Sequence, residues 1–516
     1  MANPKILWAD DEIEFLKPHI MYLKDKGYDV KPVQSGTEAI DECRETHFDI
    51  IFLDENMPGL SGLETLRQIK EFRPEVPVVM ITKSEEEFLM EDAIGSQISD
   101  YLIKPVNPNQ ILHSIKKLLE NRRLVSDKVN MSYQQDFGNL SMRLNDRLDF
   151  TEWVEVYKKL VFWDMELSKS EATGMKDVFE SQKVEANSNF CRFLGNNYTD
   201  WLYSKEDAPM MSHNLFQKKA VRLLDNNDPT FFILIDNLRY DQWKTIQPRI
   251  AELFRIEEDT CYYGILPSAT NYARNAIFAG LLPAEIEKRY PKQWVNDEEE
   301  GGKNLHEQFF MEEQLKRLRK EMKFSYNKIT NLESGKHLVD NISNLYQNKL
   351  NVIIYNFVDL LSHVRTEMEV IKELAEDEAA YRSLTLTWFE HSPLYDIFRR
   401  LADKKVNVII TTDHGSVRVK KPSKIIGDRN TTTNLRYKNG KNLNYNNKEV
   451  FAILRPEDGG LPKQHVSSSY VFALEDYFFV YPNNYNYFVN FYKNTFQHGG
   501  VSMEEIIIPV ITMVNK

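Results

Sequence analysis

Between Lys5 and about Glu120 short apolar runs alternate with amphipathic stretches. ILWAD, YDVKPV, DIIFLD, VPVVMIT and DYLIKP have the length and apolar content of strands, and the stretches between and after them begin near Glu14, Gly36, Gly62, Glu86 and Asn109. That alternation predicts a five-stranded, doubly wound parallel sheet over residues 1–122. From about Asn121 the texture changes. RRLVSDKVNMSYQQDFGNLSMRLNDRLDFTEWVEVYKKLVFWDMELSKS is charged, nearly free of Gly and Pro, and carries Leu, Val, Phe and Trp every three or four residues. This predicts a helical connector over 123–206. Strands then return: FFILID, CYYGILP, VIIYNF and VNVIITT alternate with helical patterns such as NLRYDQWKTIQPRIAELF, a second α/β region over 207–516. A charged, mostly helical stretch at about 287–350 interrupts the strands and is expected to form a cap insertion. The fold class is multidomain α/β.

Length and composition agree with this division. A chain of 516 residues has room for two or three domains, and 42% hydrophobic with 28% charged residues is ordinary for a globular protein. The net charge of -12 provides no overall field for nucleic acid or anionic membrane, although a local basic groove is compatible with it. Cys43, Cys191 and Cys261 are widely spaced, which argues against a disulfide framework or a thiolate zinc site. MANPKILWADDE has no charged leader before a long apolar region, and no run of about 18 apolar residues occurs. We therefore expect a cytoplasmic protein without membrane insertion.

Candidate chemistry collects at strand ends. In the first region Asp10 and Asp11 follow the first strand, Asp54 the third, Thr82 the fourth, and Lys104 the fifth, just before Pro105. Three carboxylates at one sheet edge repel unless a cation neutralises them, which suggests an oxygen-ligated magnesium. These residues, with ENMPGLSG after Asp54, resemble the receiver domain of two-component response regulators, a CheY-like fold. The resemblance implies that Asp54 accepts a phosphoryl group from a sensor histidine kinase while magnesium and Lys104 balance the charge. It also implies switch roles for Thr82 and Tyr101, and a homodimer that depends on phosphorylation. Basic residues in the connector are interleaved with acidic ones, so no helix-turn-helix with a one-sided phosphate-binding face is visible.

In the third region FFILID ends in Asp236, VIIYNFVDLLSH places Asp359 and His363 one helical turn apart, and VNVIITTDHGS ends in Asp413 and His414. QHGG supplies His498. Three Asp and three His suffice for two metals, and ligands at the carboxyl ends of strands suit an open α/β sheet. Thr270, at a strand-to-helix turn in SATNYARNAIF, can approach such a pair or cap its helix. Asn271 and Arg274 follow it and are candidates to contact the non-bridging oxygens of a phosphate substrate. Arg274 offers two readings, a fork for phosphate oxygens or an ion pair with a surface carboxylate.

Together these residues resemble the PglZ branch of the alkaline phosphatase superfamily. The resemblance implies Asp359, His363 and His498 on one zinc; Asp236, Asp413 and His414 on a second; and Thr270 as the nucleophile of a phosphodiesterase. The order receiver, connector, PglZ domain is similar to the PorX-type response regulators associated with type IX secretion. That similarity implies linear or cyclic oligonucleotide phosphodiesters as substrates, and a sigma factor and secretion components as partners. The alternative is a signalling adaptor whose zincs are structural.

Overall fold

A computed structural model describes residues 3–83, 98–169, 173–204, 206–295, 304–356, 377–428 and 431–516. The chain forms two compact units, Met1–Ser132 and Tyr133–Lys516. In the first, β1 (Lys5–Ala9), β2 (Asp29–Val33), β3 (Ile50–Asp54), β4 (Val78–Thr82) and β5 (Asp100–Ile103) form one sheet in the order β2-β1-β3-β4-β5. Every pairing is parallel. β3 and β4 are buried throughout, as the unbroken apolar runs IIFLD and VVMIT require for inner strands covered on both faces. The expected first helical stretch is divided, with a 3-10 turn at Ile13–Leu16 ahead of the helix Lys17–Asp25. Local signals set other boundaries: Ser61 and Glu64 form a reciprocal capping box at the start of the helix Gly62–Phe72. The stretch expected to begin at Glu86 lies outside the described residues.

The second unit is built on a six-stranded sheet of β6 (Thr230–Ile235), β7 (Phe254–Tyr263), β8 (Phe324–Ile329), β9 (Leu350–Tyr355), β10 (Asn407–Thr411) and a last strand, Ile507–Asn515. From one edge the order is β7, Ile507–Asn515, β10, β6, β9, β8. β10, β6, β9 and β8 are mutually parallel, whereas the last strand runs antiparallel to both β10 and β7. Leu234 pairs with Thr411 and Ile235 with Tyr355, so the chain leaves β6, β9 and β10 at a common edge.

One sequence expectation changes. The 287–350 segment is no simple cap, because Phe324–Ile329 within it pairs with β9 as the edge strand of the main sheet. Its polar alternation suits an edge strand with one face in contact with water, and that polarity concealed it among helical patterns. The larger elaboration lies between His414 and His498. There β11 (Val417–Arg418), β12 (Lys421–Lys424), β13 (Tyr437–Lys441), β14 (Val450–Ile453), β15 (Ser468–Ala473), β16 (Tyr477–Val480) and β17 (Phe496–Gln497) form three small sheets.

The connector helices Phe150–Ser168 and Thr173–Tyr203 belong to the same compact unit as the main sheet. Asn187 donates to Glu504 Oε2 at 3.0 Å and accepts from the Met503 amide at 3.0 Å, and the Tyr198 hydroxyl accepts from the Leu266 amide at 2.7 Å. Among the described residues no helix is long and apolar enough to cross a membrane.

A buried ionic network joins connector and sheet. Lys183 lies 3.2 Å from Asp164, 3.1 Å from Glu378 and 3.6 Å from Glu504. Arg382 bridges Asp164 at 3.0 Å and Asp241 at 3.2 Å, and Arg239 pairs with Asp241 at 2.6 Å. Burial opposes ionisation of Glu378, yet Lys183, Arg239 and Arg382 hold its carboxyl well below the usual carboxylate range. Breaking one partner of such a set leaves charge uncompensated. Lys183→Met should lower the free energy of unfolding by about 3 kcal/mol at neutral pH, measured by urea denaturation. Because Glu378 has a depressed folded pKa, its contribution is complete above about pH 4.3 and is lost as pH falls below that toward the folded value. The difference between Lys183→Met and the parent should therefore narrow on acidification.

Candidate phosphoryl-transfer and metal sites

The parallel sheet of the first unit brings Asp10, Asp11 and Asp54 together, with one carboxylate oxygen from each within 4.8 Å of the others. Asp10 and Asp54 are buried, and Asp11 is exposed. Lys104 follows β5 and sets its ammonium 3.1 Å from Asp10 Oδ2 and 2.9 Å from Asp54 Oδ1. Burial pushes the Asp54 carboxyl up and Lys104 pulls it back in part. For Lys104 burial works against the charge, and the two carboxylates outweigh it and raise its pKa. Thr82 closes β4 and accepts the Lys104 amide on its carbonyl at 2.8 Å. Tyr101 lies on β5, 36% exposed. A trio of hard oxygens at one edge fits magnesium.

In the second unit the common edge of β6 and β10 carries Asp236, Asp413 and His414, all buried, with one ligand atom of each within 4.8 Å of the others. Asn237 turns the chain after β6 with φ of 61°, and its amide donates to Asp413 Oδ1 at 3.4 Å. Asn tolerates this left-handed backbone better than most residues. After His414 the chain passes so close to a neighbour that a Cβ at Gly415 would overlap the Glu504 carbonyl oxygen. That carbonyl belongs to the element that also bears the connector network.

Thr270 begins the helix Thr270–Ala279, and its Oγ1 lies 3.0 Å from His414 Nε2. The other ring nitrogen, Nδ1, is 3.1 Å from the Gly415 carbonyl oxygen and must donate to it. His414 therefore presents an Nε2 lone pair, which accepts the Thr270 hydroxyl proton in this structure and is the form a metal requires. His498 stacks on His414 with ring centroids 4.2 Å apart and planes inclined by 19°. Its Nδ1 lies 3.2 Å from the Ser268 carbonyl and donates there, so Nε2 again holds the lone pair. Gly499 follows with φ of 119°, in the region favoured by glycine.

Arg274, one turn along the helix from Thr270, is fully buried. It is ion-paired with Asp236, with Asp413 Oδ2 at 2.9 Å and with Glu307 at 3.5 Å. Of its two sequence readings the structure has the ion pair, with buried rather than surface carboxylates. Burial acts against ionisation of Asp413, and Arg274 overcomes this to hold it below the usual range. Burial likewise opposes the Arg274 charge, and the three carboxylates keep it protonated. Asn356, after β9, adds an amide oxygen 3.4 Å from Arg274 Nη1, and Lys328 and Tyr326 hold Glu307 from β8.

Sequence reasoning missed Glu307 and Asn356. Asn356 follows an apolar strand as Asp236 does, which was a usable signal. Glu307 had none, because its partner lies 33 positions away. The structure thus brings Asp236, Thr270, Asp413, His414 and His498 together, with Asn271 beside Thr270 at the helix start. Asp359 and His363 lie outside the described residues. Two carboxylates and an imidazole with its lone pair fixed are a donor set that fits a divalent metal.

Comparison with known proteins follows this division. The family model for the response regulator receiver domain matches residues 6–116, that for the PorX response regulator linker domain 123–202, and that for the BREX system PglZ alkaline phosphatase-like domain 215–513. Similar proteins include the transcriptional regulatory protein ResD of Bacillus subtilis, 36% identical over 115 residues, which are 22% of this chain and 48% of that protein. The transcriptional regulatory protein ZraR of Klebsiella oxytoca is 32% identical over 133 residues, 26% of this chain and 30% of its own length. The chain thus spans half the length of these relatives or less. Among solved structures, the Vibrio cholerae chemotaxis protein CheY4 is 30% identical over 23% of this chain and 99% of its own, with a TM-score of 0.21. Receiver domains bind magnesium and take their phosphoryl group from a sensor kinase, and the alkaline phosphatase-like superfamily uses metal ions. The three matches together are those of a PorX-type response regulator, and through residues 215–513 the chain belongs to the PglZ alkaline phosphatase-like family.

Proposed function

We propose that the protein is a response regulator in which phosphorylation of Asp54 controls a zinc-dependent phosphodiesterase acting on nucleotide or oligonucleotide phosphodiesters. The observation that carries this is the Thr270 hydroxyl 3.0 Å from His414 Nε2, beside the buried Asp236 and Asp413. A purely structural metal site has no need of a hydroxyl aimed at one of its ligands.

In this reading Asp236, Asp413 and His414 hold one zinc next to Thr270, and His498 holds a second with Asp359 and His363. When bound, the metals lower the pKa of the hydroxyl and stabilise the departing oxygen. The chain's own residues then act as follows. Thr270 Oγ1 gives its proton to solvent and attacks phosphorus, the ester P–O bond breaks, and the leaving alkoxide takes a proton from solvent and departs as the alcohol. Water next attacks the phosphothreonine, the Oγ1–P bond breaks, and phosphate monoester leaves with the Thr270 hydroxyl restored. The positive end of the helix Thr270–Ala279 favours the charge that develops on the phosphoryl oxygens, and Asn271 adds an amide there. Arg274 acts by fixing Asp236 and Asp413.

At Asp54 the carboxylate attacks phosphorus of the phosphodonor, the donor's P–N or P–O bond breaks, and the donor leaves without its phosphoryl group while Lys104 offsets charge. Asp10, Asp11 and Asp54 would hold a magnesium that would offset more, and Thr82 and Tyr101 report the change. Pairing of phosphorylated chains into a homodimer, cytoplasmic placement, and partners including a sigma factor and type IX secretion components complete the proposal.

Bis-p-nitrophenyl phosphate hydrolysis with zinc tests the core of it. Thr270→Val should reduce turnover by at least a thousandfold while zinc content, measured by mass spectrometry, stays near the parent's. A fully active variant would exclude Thr270 as nucleophile. Asp54→Asn should abolish incorporation of phosphate from a small phosphodonor, read by intact mass, and with it any shift in sedimentation. Arg274→Gln should cost about 3 kcal/mol of unfolding free energy in chelator, and less after zinc is restored. Equal losses in both conditions would mean that no metal shares the work of neutralising Asp236 and Asp413.

A further inference from the structure

The excursion that begins after His414 returns through His498, Gly499 and Gly500, a run whose only side chain is the imidazole itself. Its position is set from outside. Ser268, fully buried and two residues before Thr270, accepts the Gly499 amide on Oγ at 3.0 Å and donates its hydroxyl proton to the Gly500 carbonyl at 2.9 Å. The Ser268 carbonyl accepts from His498 Nδ1 at 3.2 Å. One residue thus ties the imidazole and the backbone after it to the turn that carries Thr270.

Glu505 holds the same run from the other side. It is fully buried, and its Oε1 accepts the Gly500 amide at 2.9 Å. Arg436 on β13, also fully buried, donates to it from Nε at 3.2 Å and from Nη2 at 2.6 Å. The other N–H groups of the guanidinium go to the carbonyls of Leu474, Glu475 and Tyr477. Ser502 donates its hydroxyl to Glu505 Oε2 at 2.8 Å. Each oxygen of the carboxylate therefore has two donors, which fills its lone pairs and leaves none for a metal. A Cβ at Gly500 would overlap both the Ala473 carbonyl oxygen and the Arg436 guanidinium, so this close approach requires glycine.

Glu505 also reaches the other histidine. Its backbone carbonyl accepts the Gly415 amide at 3.4 Å, directly after His414. Side chain and main chain of one residue thus hold the backbone that follows each of two imidazoles whose rings stack 4.2 Å apart.

We propose that Glu505, paired with Arg436, and Ser268 are positioning residues that set His498 against His414, so that a metal at His498 depends on them. The metal at Asp236, Asp413 and His414 does not, because the Gly415 contact uses only the Glu505 main chain. Partners that orient a ligating residue govern metal affinity nearly as strongly as the ligands do. The inference rests on the two-metal reading for what His498 holds, though not for how it is held.

Zinc titration of the full chain against a chromophoric chelator, with amide hydrogen exchange of the metal-free chain, tests it. Glu505→Gln keeps the size of the side chain, yet whichever way the amide turns, an N–H meets an Arg436 donor. The variant should bind the first zinc with parental affinity and the second about 10- to 100-fold more weakly. Exchange at residues 498–501 should rise about tenfold while β6 and β10 keep parental protection. Ser268→Ala, which leaves no buried charge unpaired, should shift both readouts in the same direction. Parental second-zinc affinity and parental exchange in both variants would overturn the proposal. So would loss of both zincs with faster exchange across β6 and β10, which marks a general loss of stability. A parent that binds no second zinc would instead refute the two-metal reading; faster exchange confined to 498–501 in the variants would still support the positioning role.

Discussion

Two carboxylates buried side by side, Asp236 and Asp413, cannot both ionise unless positive charge lies between them. The second unit is arranged around that requirement. Parallel pairing of β6 and β10 forces the two side chains to the same sheet edge, and burial then removes the water that would screen them. Arg274 supplies one cation from the helix that begins at Thr270. Because Arg274 is itself fully buried, it needs Glu307, and Glu307 in turn is held by Lys328 and Tyr326 on the edge strand. Charge balance at the site thus extends outward through alternating signs to the rim of the sheet.

The same site is supported from the connector side. Gly415 lies against the Glu504 carbonyl, and Glu504 belongs to the ionic network of Lys183, Glu378, Arg239 and Arg382. Removing charges from water is costly, so such a network contributes less to stability than its number of pairs suggests. What it provides is a fixed position, because each ion has a partner only in one arrangement of the helices. The connector helices therefore locate the backbone that follows His414, and that backbone sets the imidazole tautomer through the Gly415 carbonyl.

Several features were legible along the chain because they depend on neighbours in sequence. The five receiver strands, the polar residues that follow them, and the Asp-His pair after β10 all follow from period and apolar run length. The edge strand Phe324–Ile329 was not legible, since half of its residues are polar and its strand character depends on pairing with β9. Arg274 admitted two readings for a similar reason, as only the fold reveals which carboxylates surround it. What covers the connector's apolar stripe was not legible either, because amphipathic spacing identifies a stripe without naming the surface that covers it.

By itself the sequence determined that strand ends would carry carboxylates, imidazoles and a hydroxyl, and that the first region would be a parallel α/β sheet. Side-chain type and spacing are local properties, and they suffice for that. The tertiary structure alone decided that Thr270 meets His414, that His498 stacks on it across 84 positions of chain, and that a guanidinium stands between Asp236 and Asp413. Those contacts depend on strand order, register and burial, which are set by how distant segments pack together.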